Sequence, residues 1–191
     1  MAADQTSYIN YIKPLILALE LDAPHVLSII DTKDDWYFKI HPQRMVPALK
    51  DSDPETGDTV IVFESTACLQ YLGERFDKDG KWVGRNASEK GRILAWTSYQ
   101  TAALGLKKDT LRQWDILEKR LAESGQAYIA LKDRPTIADI SYLPFSMPYM
   151  FNLFGVSIHD WPHIDKWSEK MLGRQAVRTV LEQAPRFGHD V

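Results

Sequence analysis

The spacing of apolar residues changes near residue 80. Before that point, strand-like runs alternate with helical ones. YIKPLILALEL at 11–21 predicts a helix, HVLSIID at 25–31 a strand, and DDWYFKIHP at 34–42 a short helical turn. VPALKD at 46–51 and TVIVF at 59–63 predict two further strands. The SDPETGD between them is rich in Pro, Gly and Asp, which predicts an antiparallel hairpin with a longer loop. ESTACLQYLGERF at 64–76 then predicts a helix, and alternation of this kind indicates α/β or α+β architecture.

After DKDGKWVGRN at 77–86 nothing strand-like follows. Ile93, Leu94, Trp96, Tyr99, Ala103 and Leu104 recur at helical spacing, as do Leu111, Trp114, Leu117 and Leu121. The predicted organisation is an α/β domain at 1–76, a linker at 77–86 and an all-helical domain at 87–191. TAALGLKKDTLRQW at 101–114 joins two helices through a short connection, with Asp109 as a candidate cap. RPTIADI at 134–140 carries a capping box. Thr136 is placed to accept from the amide of Asp139, and Asp139 to reach back to the amide of Thr136. That pairing serves folding rather than chemistry.

Composition narrows the function classes. The 191 residues are 45% hydrophobic and 26% charged, enough for a real core. A net charge of −3 and a pI near 5.9 offer no field for nucleic acid or an anionic membrane. No apolar run approaches the roughly 20 residues that span a bilayer. MAADQTS is neither basic nor apolar, so no secretory leader is expected. The one cysteine, Cys68, excludes an internal disulfide and a CxxC pair, and its apolar helical setting predicts packing rather than reactivity. A cytoplasmic location is expected, and no metal site.

HPQRMVPALKD, VIVFESTACLQYLGERF, RPTIADISYLPF and WPHIDKWSEKMLGRQAVRTVL together resemble the glutathione transferase superfamily, in family order. The chain looks closest to the fungal class that includes the yeast nitrogen-catabolite regulator, and several fungal secondary-metabolite tailoring enzymes, olefin isomerases among them, have similar sequences. The resemblance implies a thioredoxin-like α/β domain followed by an all-α domain, and glutathione as cofactor. It also implies a strand before the first helix, which MAADQTS is too short and polar to supply, so the first strand is expected to be absent.

The same resemblance implies site residues. Pro47 would be a cis proline presenting the backbone of Val46 to the cysteinyl part of glutathione. Glu64 would take the γ-glutamyl ammonium, and Ser65 with the free N–H groups of its helix the α-carboxylate. Without the preceding VPAL, an ordinary helix cap would explain both. Against the fungal pattern APNGFKV, YINYIKP puts Asn10 at the thiol, where its amide can donate to sulfur without acting as a base. Asn10 equally suits a helix N-cap, and Ser7, Tyr8 and Tyr11 are rival donors. The family's basic residue before the Val is Met45 here, leaving Arg44, His41 and Gln43 for the glycyl carboxylate, with a solvated loop as the other reading of His41. Trp96, Tyr99 and Gln100 are candidates for an apolar acceptor pocket, as are Phe145, Met147, Tyr149, Met150 and Phe151.

Three functions follow from the resemblance. The first is conjugation of the bound thiolate to a small apolar electrophile, as in fungal secondary metabolism. The second is cis–trans isomerisation of a conjugated olefin or polyene by reversible thiol addition. The third is a non-catalytic regulator on the same fold. A homodimer is implied in each case.

Overall fold

Pro14 cannot donate a backbone hydrogen bond, so a helix that contains it must place it where none is needed. The computed structural model, which describes residues 9–28, 30–103 and 107–183, does so. Helix α1, Ile12–Glu20, holds Pro14 in its first turn. Its N-cap is Tyr11, without a side-chain capping bond, so the expected capping role of Asn10 is not realised. Ile12, Lys13, Ile16 and Leu17 share its buried face.

The strand predicted over 25–31 is not formed among the described residues of that stretch. A strand exists through its ladder, and the only sheet among the described residues is a two-stranded hairpin elsewhere. Val26 and Leu27 stay exposed, at 92% and 41%. A single 3-10 turn at Tyr37–Lys39 matches the short helical turn.

Strands β1, Ala48–Ser52, and β2, Thr59–Phe63, pair antiparallel, with Ala48 opposite Phe63 and Ser52 opposite Thr59. The Asp53 carboxylate accepts from the amides of Glu55 and Thr56 to shape the turn. An isolated hairpin is marginal in water. Helix α2, Ser65–Phe76, pins this one: Tyr71 Oη and Arg75 Nε both donate to Asp51 Oδ2, at 2.9 and 3.2 Å.

The stretch 77–86, read as a linker, is a tight turn packed into the core. The Asp77 carboxylate accepts from the amides of Lys81, Trp82 and Val83, and Trp82 and Val83 are buried. Helices α3, Ala87–Ala103, and α4, Lys107–Leu121, follow. α4 already contains Asp109 in its first turn, so the helix starts earlier than the sequence suggested. The capping box at Thr136 opens α5, Ile137–Tyr142. Helices α6, Pro148–Leu153, α7, Pro162–Leu172, and α8, Gln175–Gln183, complete the described chain.

One hydrophobic cluster runs from Ile9 through Leu69 and Trp82 to Val180, so the α/β and helical parts share a core. No helix among the described residues is long and apolar enough to cross a membrane. Gly73 marks the tightest contact. A Cβ there would sit 2.0 Å from Val83 Cγ1, and a buried β-branched side chain has little freedom to yield. Gly73→Ala is therefore expected to destabilise by about 1–3 kcal/mol in urea unfolding, despite its better helix propensity.

Candidate functional site

The site is assembled from the start of the hairpin and the N-terminus of α2. Tyr37 Oη donates to the Met45 carbonyl at 2.8 Å, holding the chain just before Val46–Pro47, whose peptide bond is cis. The β1–β2 register begins only at Ala48, so Val46 lies outside the ladder. No hydrogen bond joins its N–H or C=O to another described residue. A free backbone segment of this kind accepts an extended peptide as an added strand.

Seventeen residues on, β2 ends and α2 begins at Glu64-Ser65. Glu64 has φ 74° and ψ 129°, a conformation that side chains rarely adopt and that is characteristic of functional sites. Its carboxylate is exposed, with His41 Nε2 at 3.6 Å from Oε1. Ser65 is buried at the first helical position, where the unpaired N–H groups and the positive end of the helix dipole lie. An exposed acid beside the positive end of a helix would suit a zwitterion, which brings an ammonium and a carboxylate together.

His41 is 2% exposed, so the solvated-loop reading fails. Its ring packs against Phe63, and its Nδ1 accepts from the Gln43 amide. His41 thus orients Glu64. Arg44, at φ 55°, donates to the Lys33 carbonyl at 2.9 Å and to Asp35 at 3.2 Å. Met45 is 53% exposed at the edge of the site. Cys68 is buried and donates weakly to the Val62 carbonyl; burial pushes its thiol up to about 12, so packing is its role.

Asn10 lies half-buried in the turn before α1, and its side chain makes no hydrogen bond with the described residues. Tyr11 is half-buried against the core. Ser7 and Tyr8 lie outside the described residues. Among the acceptor candidates, Trp96 and Tyr99 meet edge to face, and Tyr99 Oη accepts from Gln113. Phe151 stacks on Trp114, and Met147 and Met150 are buried, so these three serve the core. Gln100 is buried as well, and its Oε1 accepts from Lys13 on α1.

The group that Gln100 meets is the residue the sequence reading missed. Lys13 Nζ donates to Gln100 Oε1 at 3.2 Å and to Ser65 Oγ at 3.5 Å, and lies 4.9 Å from the centre of the Phe145 ring. Gln100 Oε1 also accepts from Ser141 Oγ. Lys13 is 1% exposed, and burial lowers its ammonium to about 7, with nearby Glu64 opposing that shift. The signal was present in IKPLILALE: Lys13 stands three and four residues before Ile16 and Leu17, on the apolar stripe.

A family model described as the glutathione S-transferase N-terminal domain matches residues 11–75, and one described as its C-terminal domain matches 61–175. The trimodular acetylaranotin synthesis protein ataIMG of Aspergillus terreus is 70% identical over 187 residues, covering 98% of this chain. This chain spans 21% of that protein's length. Glutathione S-transferase aclG of Aspergillus oryzae is 62% identical over 208 residues, covering 98% of this chain and 94% of the relative. In fold the chain is similar to a glutathione transferase homologue of Lodderomyces elongisporus, solved with two glutathione molecules per subunit. The TM-score is 0.81 at 24% identity, over 91% of this chain and 94% of that one. It is also similar to the glutathione transferase URE2P5 of Phanerochaete chrysosporium, with a TM-score of 0.82 at 22% identity, over 96% and 93%.

Lys13 makes stability depend on pH. Its folded value near 7 lies below its ordinary 10.5, so between those limits the unfolded chain binds a proton that the folded chain lacks. Stability therefore rises with pH through that window, at up to about 1.4 kcal/mol per pH unit. Below it both states are charged, and burial of the ammonium costs the most. Lys13→Met removes the charge. Urea unfolding should show the variant gaining most over the native chain near pH 6 and the gap closing as pH rises; a gap independent of pH would contradict the assignment.

Proposed function

We propose that this chain, which belongs to the glutathione S-transferase family, binds glutathione between Val46–Pro47 and Glu64-Ser65 and activates its thiol for transfer to an apolar electrophile. The observation that carries the reading is the juxtaposition of two recognition elements. One is the free backbone of Val46 next to a cis proline; the other is an acid and a buried serine at the start of a twelve-residue helix. The first suits the cysteinyl peptide unit, and the second suits the γ-glutamyl zwitterion.

In this mechanism the protein supplies no nucleophile. A thiol with an ordinary value of about 8.5 is mostly protonated near neutrality, so the site must favour the thiolate. Asn10, ahead of α1, is the proposed donor to sulfur: its amide N–H stabilises the anion and accepts no proton. The thiolate then attacks an electrophilic carbon held against Trp96 and Tyr99, with proximity supplying much of the rate. His41 sets the position of Glu64, while Gln43 and Arg44 lie toward the glycyl end. The name of the trimodular relative supports a place in fungal secondary metabolism. A homodimer working in the cytoplasm is part of the same proposal. An olefin isomerase would use the same thiolate and release glutathione unchanged.

Calorimetric titration with glutathione, followed by turnover of a chlorinated dinitrobenzene, tests the proposal. Ser65→Ala should weaken glutathione binding about tenfold, the loss of roughly one charge-assisted hydrogen bond. Asn10→Ala should lower kcat by about 10- to 100-fold while changing affinity less than about threefold. Unchanged affinity in Ser65→Ala would reject the γ-glutamyl site, and unchanged kcat in Asn10→Ala would move the thiol donor elsewhere. No glutathione binding by the folded native chain would reject the transferase reading and favour a regulator.

A further inference from the structure

A buried ammonium normally has a carboxylate against it, because removing one charge from water without a counter-charge costs several kcal/mol. Among the described residues Lys13 forms no ion pair. Its contacts are two neutral oxygens, of Gln100 and Ser65, and the face of Phe145. Gln100 Oε1 is shared with Ser141, which fixes that side of the ammonium. The Ser65 side leads to the N-terminus of α2. An ammonium, a hydroxyl and a helix N-terminus gathered at one point form a receptor for a carboxylate.

We propose that Lys13 is the proton-coupled positioning residue of the γ-glutamyl site: a carboxylate seated on Ser65 draws a proton onto the Lys13 amine from solvent. This rests on the glutathione reading above and deepens it. The amine gains one proton and a positive charge, the solvent loses one proton, and no covalent bond in the ligand changes. The ligand class is any γ-glutamyl compound with a free α-carboxylate, with or without a thiol.

The surrounding charges leave Lys13 as the group that responds. From α2, Glu64 is exposed and faces His41, and the Cys68 thiol is held neutral by burial. From α5, Asp139 is fully engaged in its capping box and with Ile129 and Trp167. α3 presents Gln100 and Thr97, neither of them titratable. Next to α8, Arg174 pairs with Glu20 at the far end of α1. In the free protein the amine is part-neutral above about 7, so affinity falls as pH rises from there, by at most about tenfold per pH unit.

The test is calorimetric titration of the full chain with S-methylglutathione, whose blocked sulfur removes thiol ionisation. Titrations in PIPES and in imidazole, which buffer at both about pH 6 and about pH 7.5 and differ in ionisation heat, give the number of protons taken up. The expected result is uptake of roughly half a proton or more at the higher pH and almost none at the lower. Lys13→Met should bind about tenfold more weakly at the lower pH, with no buffer dependence at either. A merely structural lysine would leave the proton count unchanged.

Equal uptake in Lys13→Met would overturn the proposal and place the proton on another group. Binding by the native chain without uptake would overturn it while leaving the glutathione site standing. No binding by the native chain would overturn both. Absence of proton uptake by the native chain at the higher pH overturns the proposal even where the variant does not fold.

Discussion

A carboxylate with no exposed surface must find a donor for each oxygen, and Asp139 finds four hydrogen bonds. Oδ2 accepts from the amide and the hydroxyl of Thr136; Oδ1 accepts from the amide of Ile129 and from Trp167 Nε1. Burial pushes the carboxyl upward, and the donated bonds oppose that by favouring the anion. One side chain thus joins the loop before α5, the first turn of α5 and the middle of α7. Apolar packing alone, being non-directional, would leave those three segments free to shift against one another.

The rest of the site is hung from this point. Ile137, next to the cap, donates its amide to the Trp82 carbonyl, and Arg134 bridges the Lys81 carbonyl and Glu89. The 77–86 turn is therefore clamped to the start of α5. Val83 in that turn closes on Gly73, which sets the position of α2. At the other end of α5, Ser141 donates to Gln100, and Gln100 accepts from Lys13, whose third contact is Ser65. The first route leads from the capping box to the C-terminal half of α2, and the second to its N-terminus. The helical part of the chain thereby fixes Glu64 and Ser65, which belong to the α/β part.

The elements legible in the sequence were those specified by short-range chemistry. The hairpin carries its own turn residues, α2 follows a β-branched run, and the capping box spans four residues. The segment 25–31 failed because a strand is a property of two segments, and apolar content cannot supply a neighbour. The start of α1 moved one residue because Asn10 can cap only with a favourable backbone, and Tyr11 takes that position. His41 was left open between site and solvated loop, and Lys13 was missed, for one reason: polar residues are read as exposed until packing shows otherwise. Lys13 was recoverable from its place on an apolar stripe, whereas the burial of His41 under Phe63 depends on the hairpin folding back over it.

Helix α1 shows how stability and binding divide along one element. At its C-terminal end Glu20 accepts from two nitrogens of Arg174, whose guanidinium also lies over Trp82. That charge is satisfied within the protein, and a planar fork on a carboxylate is a strong, well-oriented contact. At its N-terminal end Lys13 has polar contacts but no ion pair among the described residues, and Glu64 acts on it only from beyond contact distance. A hydrophobic residue at the Lys13 position would pack as well or better. Burying an ammonium without an ion pair beside Ser65 is therefore a poor device for stability, and one suited to recognising an anion, because a bound anion would supply the missing charge. The paired end anchors the helix in every state of the site, which leaves the unpaired end free to respond to what binds there.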